Sequence, residues 1–377
     1  MQIHSFEPPR RILMGPGPSN VYPEVLEALA RPTIGHLDPE FIRMMDETKT
    51  LLKSAFQTHN DVTMVVSGPG SAGMESCFVN LVEPGDRVVV CSNGVFGGRM
   101  KENVERCGGK AIVVEDEWGR AVDANKLDDA LKAHPDAGVV AFVHAETSTG
   151  ALSDVQTLVD IAHSHNCLTI VDTVTSLGGS PLSVDDWQID AAYSGSQKCL
   201  SCTPGLSPVT FNDRAMEAIK NRRTPVQSWF LDMTLVTAYW GGGTRAYHHT
   251  APINALYGLH EALRLLVNEG LENAWVRHRA NHEMLRKALQ EIGIDYYVPE
   301  GERIPQLNAV TLPKGADDAS VRSSLLGDYN LEIGAGLGPL AGKIWRIGLM
   351  GYSCTEDNVA YCVDSLRTVL AESRGAR

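Results

Sequence analysis

Short apolar segments alternate with amphipathic segments from about residue 60 to residue 212. Amphipathic segments such as SAGMESCFVNLVE and DVQTLVDIAHSH repeat their apolar residues with the period of a helix. The apolar segments are near-continuous and rich in β-branched residues, which is typical of strands buried on both faces. They predict an α/β fold whose mainly parallel, seven-stranded sheet is covered by helices on both sides. The segments are VTMVVSG, DRVVVCSN, KAIVVE, GVVAFVH, CLTIVDT, AAYSGSQ and LSPVTFN.

A different pattern begins near residue 253. Two long helices are predicted there, and Gly270 is expected to end the first of them. Strands and further helices follow, which favours a smaller α+β unit. We therefore predict an N-terminal segment at 1–20, a large domain at 21–265 and a small C-terminal domain at 266–377. The stretch 222–252 has few helix signals and many aromatic residues, so we expect a functional loop or a subunit contact.

The composition narrows the possible partners and compartments. The 377 residues carry a formal net charge of −13, which argues against a general nucleic-acid binder, because phosphate contacts need clustered Lys and Arg. No apolar run is long enough to span a bilayer, and the first residues lack the apolar core of a secretion signal. Eight scattered cysteines, mostly in apolar surroundings, are typical of buried thiols in a reducing compartment. We therefore expect a cytoplasmic protein with no membrane or nucleic-acid partner.

Two pairs of residues raise the question of a metal. Cys199 and Cys202 have the spacing of a metal or redox motif, but no second pair at zinc-like spacing accompanies them. His248 and His249 are adjacent, and adjacent side chains of an extended segment point to opposite faces. We therefore predict no metal site.

The residues after each predicted strand carry most of the functional information, because ligands of such sheets collect at the carboxyl ends of the strands. VTMVVSG is followed by a Gly-rich turn that opens a helix. The free N–H groups of this turn would form a cradle for an anion, usually a phosphate, or an ordinary helix start without a ligand. The candidate contacts are Gly68, Gly70, Ser71 and Ala72.

Two ionisable residues end successive apolar segments: Asp172 follows CLTIV, and Lys198 follows AAYSGSQ. Each has an ordinary explanation, since Asp172 could cap a turn and Lys198 could lie on the surface. Taken together with the anion cradle, however, they suit pyridoxal 5′-phosphate. The lysine would form a Schiff base, the carboxylate would keep the pyridine nitrogen protonated, and the Gly-rich turn would bind the phosphate.

Three further residues are candidates on weaker patterns. Phe96 follows DRVVVCSN and on its own would be a core residue, and Ser148 follows GVVAFVH in a loop that could simply be a turn. Arg346 lies inside the apolar segment KIWRIGLMG. Because Arg is rarely buried without a partner, Arg346 would bind either a substrate carboxylate or an internal acid.

Seven segments distributed along nearly the whole chain support a resemblance: LMGPGPSN, VSGPGSAGMES, HAETSTG, VDTVTSLGG, YSGSQKCL, YHHTAPI and GKIWRIGLMG. In this order they resemble the class V aminotransferases of fold type I, and among these the alanine–glyoxylate and serine–pyruvate branch. The resemblance implies a pyridoxal 5′-phosphate enzyme with ping-pong kinetics. Its substrates would be a small amino acid, alanine or serine, and a 2-oxo acid, glyoxylate or pyruvate.

The resemblance also implies roles for individual residues. Lys198 would be the Schiff-base lysine that moves the substrate α-proton, and Asp172 the partner of the pyridine nitrogen. The substrate would contact Arg346, Ser148 and Gly17, the last of these in an N-terminal segment that takes part in the active site and the dimer. The other cofactor contacts would be Gly70, Ser71, Ala72, Phe96, Ser148, Val174, Gln197, Tyr247 and Thr250. Tyr247 and Thr250 would reach the phosphate from the neighbouring subunit, which implies a homodimer with shared active sites.

Relatives of the same fold offer alternative functions. The (S)-ureidoglycine–glyoxylate aminotransferases resemble this chain in GSQKCLS and in the C-terminal strand, but they tend to have Gln in place of His36 and Asn in place of Tyr247. A pyridoxamine–pyruvate aminotransferase would carry an acidic residue where this chain has Pro69. A cysteine desulfurase would need a stacking His in place of Phe96 and a mobile Cys before Arg346.

Two other classes of protein explain fewer residues. A nicotinamide-binding protein would account for the Gly-rich SGPGSAG, but no acidic residue ends the next predicted strand, VVVCSN. A non-enzymatic dimeric scaffold would leave the coincidence of Lys198 and Asp172 unexplained.

Overall fold

The chain forms the alternating strands and helices that its apolar pattern predicts. The computed structural model describes residues 3–241 and 245–375. The strands of this part are β1 (Ile12–Leu13), β2 (Val62–Val66), β3 (Arg87–Ser92), β4 (Lys110–Glu115), β5 (Ala137–Val143), β6 (Ala145–Glu146), β7 (Ala151–Leu152), β8 (Leu168–Asp172), β9 (Ala191–Tyr193), β10 (Ser207–Phe211), β11 (Leu307–Thr311), β12 (Leu331–Glu332), β13 (Gly334–Ala335) and β14 (Ile344–Gly348). The helices are α1 (Pro23–Leu29), α2 (Pro39–Phe56), α3 (Gly70–Leu81), α4 (Val95–Arg106), α5 (Ala124–Ala133), α6 (Val155–Ser164), α7 (Asp213–Lys220), α8 (Met233–Trp240), α9 (Ile253–Glu269), α10 (Leu271–Glu291), α11 (Asp318–Asp328) and α12 (Glu356–Gly375).

The seven apolar segments become the seven strands of one central sheet, in the order β2-β10-β9-β8-β5-β3-β4. Neighbours are parallel from β9 through β8, β5 and β3 to β4. Only β10 runs antiparallel to its neighbours β9 and β2. The predicted α/β class with a mainly parallel sheet is therefore confirmed, and the strands other than β10 end at the same edge.

Burial on both faces explains why these strands read as continuous apolar runs. In β3, for example, Val88, Val89 and Val90 have no exposed surface. Each such side chain contributes about 1.5–3 kcal/mol by leaving water. Aspartates define several helix starts: the Asp123 side chain accepts the N–H of Asn125 at the start of α5. Such a cap stabilises a helix by about 1 kcal/mol.

A second core lies in the C-terminal part, where β11, β14 and β13 form an antiparallel sheet. Met14 of the N-terminal segment is buried in this core, and β1 pairs in parallel with β12. Helix α10 links the two cores, since Ala274 packs in the large one and Leu285 in the small one. The exact domain limits given above stay a prediction.

The aromatic stretch 222–252 contains helix α8, which its sequence did not reveal. Asp232 caps this helix by accepting the N–H of Thr234. Threonine, valine and aromatic residues are moderate helix formers, and an almost uniformly apolar segment shows no amphipathic period. None of the helices in the described ranges is long and apolar enough to cross a membrane.

Candidate active site

The carboxyl ends of β8 and β9 bring Asp172 and Lys198 to one edge of the central sheet. β8 ends at Asp172, which pairs with Tyr193, the last residue of the parallel neighbour β9. The chain then turns over this edge and reaches Lys198. Lys198 is only 9% exposed and Asp172 only 3%. Lys198 is therefore not a surface lysine.

Asp172 is a buried carboxylate held by two hydrogen-bond donors. The N–H of Val174 donates to Oδ1 at 2.8 Å, and the hydroxyl of Tyr193 donates to Oδ2 at 2.8 Å. Burial nevertheless raises the pKa of Asp172 to about 7. Within the described ranges, no Lys or Arg nitrogen lies within 4.0 Å of this carboxylate. A cationic nitrogen from a ligand would therefore be a favourable partner for it.

The amine of Lys198 faces the N-terminal segment. Nζ donates a hydrogen bond to the carbonyl of Pro16. Gly17 lies so near that a Cβ atom at this position would come within 2.6 Å of Nζ, and its φ of +104° also favours glycine. Burial lowers the pKa of Lys198 to about 8, and the positive charge of Arg346 adds to this effect. A larger share of the amine is therefore neutral near pH 7 than in an ordinary lysine, as a nucleophile or base requires.

The Gly-rich turn after β2 contacts the loop that follows Asp172. Helix α3 begins at Gly70, and no side chain caps its first turn. A Cβ atom on Gly70 would lie 3.3 Å from a methyl group of Val174. Ser71 is exposed and Ala72 half-buried, so the positive end of this helix is accessible to an anion.

Gln197 adds an unsatisfied polar group to this edge of the sheet. Its Oε1 atom is buried and has no hydrogen-bond partner in the described part of the chain. Such an atom costs about 1–3 kcal/mol. A ligand that hydrogen-bonds to the Gln197 amide would remove this cost.

Phe96 and Ser148 are held by a buried acid, Glu146. The Ser148 hydroxyl donates to Oε1 of Glu146 at 2.6 Å, and the N–H of Phe96 donates to Oε2 at 3.1 Å. The N–H of Val95 donates to the Ser148 hydroxyl at 3.0 Å. The guanidinium of Arg99 lies 4.9 Å from the centre of the Phe96 ring. These contacts fix the start of α4 against the loop after β6.

Arg346 lies in the middle of β14 and points its guanidinium toward the central sheet. Nε donates to the carbonyl of Ala335 at 2.7 Å, and Nη1 donates to the carbonyl of Thr147 at 3.1 Å. No carboxylate oxygen of the described residues lies within 4.0 Å, so the internal ion pair considered from the sequence is not formed there. Burial lowers the pKa of Arg346 to about 10. Three of its five N–H groups remain for other acceptors.

Comparison with known proteins places this arrangement in a family. The family model for class-V aminotransferases matches residues 13–359, a range that includes Gly17, Asp172, Lys198 and Arg346. This chain belongs to the class V aminotransferases. The resemblance seen in the sequence is thereby confirmed, and the nicotinamide-binding and scaffold alternatives are excluded.

Individual class V aminotransferases are similar over almost their full length. The alanine–glyoxylate aminotransferase of Rattus norvegicus is 40% identical over 365 residues, which cover 96% of this chain and 88% of that protein. The (S)-ureidoglycine–glyoxylate transaminase of Bacillus subtilis (strain 168) is 36% identical over 380 residues, covering 96% and 91%. The crystal structure of an alanine–glyoxylate aminotransferase from Nostoc sp. matches with a TM-score of 0.96 and 45% identity, covering 98% of each chain.

In this class V aminotransferase, Tyr247 and Thr250 are exposed, in contrast to the buried Lys198 and Asp172. Tyr247 is 62% exposed, and Thr250 is exposed as well. The Tyr247 ring lies 5.2 Å from the ring of His36. The same segment returns to the Gly-rich turn through His249, whose Nε2 atom lies 2.7 Å from the hydroxyl of Ser67.

We expected the side chains of His248 and His249 to point to opposite faces of the chain, but this prediction was wrong. The Nδ1 atoms of His248 and His249 lie 2.8 Å apart, because the chain is irregular here rather than extended. His248 also stacks on Trp229 at 4.5 Å between ring centres. The described residues contain no group of three or more side chains that could hold a metal.

Both cysteines of the candidate metal or redox pair are buried free thiols. Burial raises the pKa of Cys199 to about 12 and that of Cys202 to about 11. Thiols of this kind form little thiolate at neutral pH, so they are poor nucleophiles.

Two residues of the site, Tyr193 and Glu146, were not among the candidates predicted from the sequence. Tyr193 ends an apolar segment and was indistinguishable from a core aromatic. Glu146 had a usable signal, since it stands in the polar HAETSTG that follows a buried strand, much as Asp172 does. Its partner Phe96 is 50 positions away, and only the fold brings the two together.

Proposed function

We propose that this aminotransferase uses pyridoxal 5′-phosphate to transfer the amino group of a small amino acid, alanine or serine, to glyoxylate or pyruvate. The observation that carries the proposal is the buried amine of Lys198 at the same sheet edge as the buried carboxylate of Asp172. Neither group forms an ion pair within the described residues. Burying two such groups is costly unless they serve a ligand.

The residues at this edge fit the cofactor. Asp172 would pair with the ring nitrogen, Phe96 and Val174 would flank the ring, and Lys198 would attach to the aldehyde. The open first turn of α3, with Gly70, Ser71 and Ala72, suits the phosphate. The amide of Gln197 can serve a donor or an acceptor on the ring, because its oxygen and nitrogen can exchange places. When bound, the cofactor supplies an electron sink for the carbanion formed at the substrate α-carbon.

Lys198 would also act as the proton carrier. Its Nζ atom would accept the substrate α-proton and deliver it on the same side of the cofactor. A base works best when its pKa lies near the working pH. The pKa of about 8 meets this requirement.

Arg346 would bind the substrate carboxylate. The carbonyls of Ala335 and Thr147 hold two edges of its guanidinium, so the remaining N–H groups have a fixed direction. Pro16 and Gly17 pack against the Lys198 amine from the N-terminal segment. This close packing favours substrates with a small side chain.

We further infer a homodimer with shared active sites. Tyr247 and Thr250 are exposed in a single chain, and Trp229 nearby is 63% exposed. Exposed clusters of large aromatic residues are typical of contact surfaces. A second copy of the chain would cover this surface and receive Tyr247 and Thr250 at its own phosphate site.

The choice of substrates draws on the relatives and on one contact. Both curated relatives described above carry glyoxylate in their names, which supports glyoxylate as acceptor. His36 and Tyr247, where ureidoglycine enzymes tend to have Gln and Asn, are in contact although 211 positions separate them. The two differences from the ureidoglycine enzymes therefore lie on one shared surface, formed by His36 and Tyr247. They favour alanine or serine as the amino donor.

A panel of substrates tests this proposal. The purified enzyme with pyridoxal 5′-phosphate would receive alanine, serine or (S)-ureidoglycine as donor, each with glyoxylate or pyruvate. We expect the highest kcat/KM with alanine or serine. A clear preference for ureidoglycine would instead assign the alternative function, and no turnover with any pair would contradict the proposal.

A further inference from the structure

Glu146 is a fully buried acid that has no cationic partner. It has no exposed surface, and no Lys or Arg nitrogen of the described ranges lies within 4.0 Å of its carboxylate. An isolated buried charge is among the most expensive features of a protein interior. Burial accordingly raises the pKa of Glu146, although its hydrogen bonds oppose the shift. The structure therefore keeps this acid at a considerable cost.

The hydrogen bonds to the Glu146 carboxylate come from Ser148 and from the start of α4, where the N–H groups of Phe96 and Gly97 face it. Oε1 accepts the N–H of Ser148 at 3.0 Å and its hydroxyl at 2.6 Å, and Oε2 accepts the N–H of Phe96 at 3.1 Å. Gly94 makes room for this arrangement, because a Cβ atom there would come within 2.5 Å of the Glu146 carboxyl carbon. These N–H groups can only donate, so both carboxylate oxygens serve as acceptors.

These bonds determine what the Ser148 hydroxyl can offer to the cleft. Its hydrogen is donated to Glu146, and one of its two lone pairs accepts the N–H of Val95. A hydroxyl has one hydrogen and two acceptor positions. Only an acceptor position remains, so Ser148 can receive a hydrogen bond from a bound group but cannot donate one.

The loop that Glu146 holds also orients the substrate-binding arginine. Thr147, between Glu146 and Ser148, places its carbonyl 3.1 Å from Nη1 of Arg346. Phe96, which donates its N–H to Glu146, lies in the first turn of helix α4. One carboxylate thus connects the ring-flanking aromatic, the serine hydroxyl and the support of the arginine.

We propose that Glu146 is a positioning residue: its ionised carboxylate keeps the Ser148 hydroxyl as a hydrogen-bond acceptor toward the cofactor and substrate, and ties the loop that supports Arg346 to the start of α4. This inference rests on the proposed function. The competing view is that Glu146 merely caps α4, which has no side-chain cap of its own. A cap stabilises the fold but leaves the bound cofactor unchanged.

The charge of Glu146 should be visible in the cofactor spectrum. The charged groups around it are Arg346 on β14, Lys198 after β9 and Asp172 on β8, and Arg99 lies beyond the Phe96 ring. Removing a negative charge from this set disfavours the protonated form of the cofactor bound at Lys198. The pH midpoint of its visible absorption band should then fall by roughly one pH unit.

Glu146→Gln in the full-length holoenzyme tests the proposal, with Glu83→Gln as matched control. Glu83 also accepts two backbone N–H groups and one hydroxyl, from Arg223 and Thr224, and it pairs with the exposed Arg223 guanidinium at 3.3 Å. It lies beyond the opposite end of α3. Both variants should lose thermal stability. Only Glu146→Gln should lower the pH midpoint of the band and weaken pyridoxal 5′-phosphate binding, by roughly tenfold.

The proposal would be overturned by a Glu146→Gln variant that loses stability but keeps the wild-type pH midpoint of the visible band and the wild-type cofactor affinity. That result is expected if Glu146 is neutral or only caps α4. If this variant does not fold, Ser148→Ala and Ser148→Thr decide instead. Ser148→Ala should weaken cofactor binding and Ser148→Thr, which keeps the hydroxyl, should restore it; equal affinities would overturn the proposal. A wild-type protein without a visible band would instead refute the proposed function itself.

Discussion

The sheet edge around Lys198 and the segment 245–250 form two very different parts of the proposed site. At the sheet edge, Lys198 and Asp172 are at least nine-tenths buried, and burial moves both pKa values toward neutrality. In the segment 245–250, Tyr247 and Thr250 are exposed. The residues around Lys198 make their contacts within one chain. The proposed contacts of Tyr247 and Thr250 lie in a second copy of the chain.

The difference suggests that the buried residues serve the reaction and that the exposed residues serve the contact between subunits. The groups that would handle protons need a dry and fixed environment, and one folded chain provides it. Under the proposed dimer, Tyr247 and Thr250 would complete the phosphate site of a second copy, so their contribution should depend on dimer formation. Variants at the two parts should therefore fail in different ways.

The largest effect is expected at Lys198. Lys198→Ala should lower kcat by roughly 10⁴-fold or more, because it removes both the attachment point and the proton carrier. The variant should still bind pyridoxal 5′-phosphate without a covalent bond. Lys101→Ala, at an exposed lysine paired with Glu105, is the control and should behave like wild type. Steady-state kinetics and equilibrium dialysis test both points, and retained transamination would remove Lys198 from the mechanism.

A smaller but still large effect is expected at Arg346. Arg346→Ala should weaken substrate binding by about 2–5 kcal/mol, the loss expected for a buried charged pair. The amino-acid concentration at half saturation reports this change, with cofactor affinity measured in parallel. Arg322→Ala, which breaks the ion pair of Arg322 with Asp318 on α11, serves as control. Unchanged amino-acid saturation in Arg346→Ala would show that another residue binds the carboxylate.

The burial of Asp172 predicts a pH effect on the cofactor-free protein. Its pKa of about 7 lies above the ordinary value of 3.8, so the folded chain holds a proton that the unfolded chain has lost between these two pH values. The free energy of unfolding should therefore fall as pH rises from about 4 to about 7, by a few kcal/mol. Asp172→Asn should abolish this part of the slope. Urea unfolding of both proteins across this range measures it, and parallel profiles would contradict the assigned cause.

The smallest effect is expected in the exposed segment 245–250. It tests most sharply how this segment differs from the buried sheet edge around Lys198. The double variant Tyr247→Ala/Thr250→Ala should bind pyridoxal 5′-phosphate roughly tenfold more weakly, the loss of about one charged hydrogen bond. Mixed with Lys198→Ala, it should form hybrid dimers in which one site has both an intact Lys198 and intact partner residues. At a pyridoxal 5′-phosphate concentration that leaves the double variant mostly unloaded, the mixture should then be more active than the two variants measured separately. A mixture no more active than the sum of its parts would place all contacts within one chain.

The fold was predictable because each strand carries its own signal. All seven strands of the central sheet coincide with apolar segments of the sequence, since strands buried on both faces need no alternation. Asp172 and Lys198 were predictable for a related reason: charged residues stand out at the ends of apolar runs, and parallel strands end at one edge.

The contacts between distant segments were not predictable from local pattern. Glu146 meets Phe96, and Tyr247 meets His36, only because the fold joins segments far apart in the chain. Helix α8 was missed because an almost uniformly apolar segment lacks a helical period. The orientation of His248 and His249 was wrong because the rule for extended strands does not apply to an irregular loop.

Covalent labelling measures the central claim most directly. The enzyme would be incubated with pyridoxal 5′-phosphate, reduced with borohydride, digested and analysed by mass spectrometry. We expect one modified peptide, the one that contains Lys198, and its disappearance in Lys198→Ala. Modification of a different lysine, or no modification at all in a correctly folded protein, would contradict it.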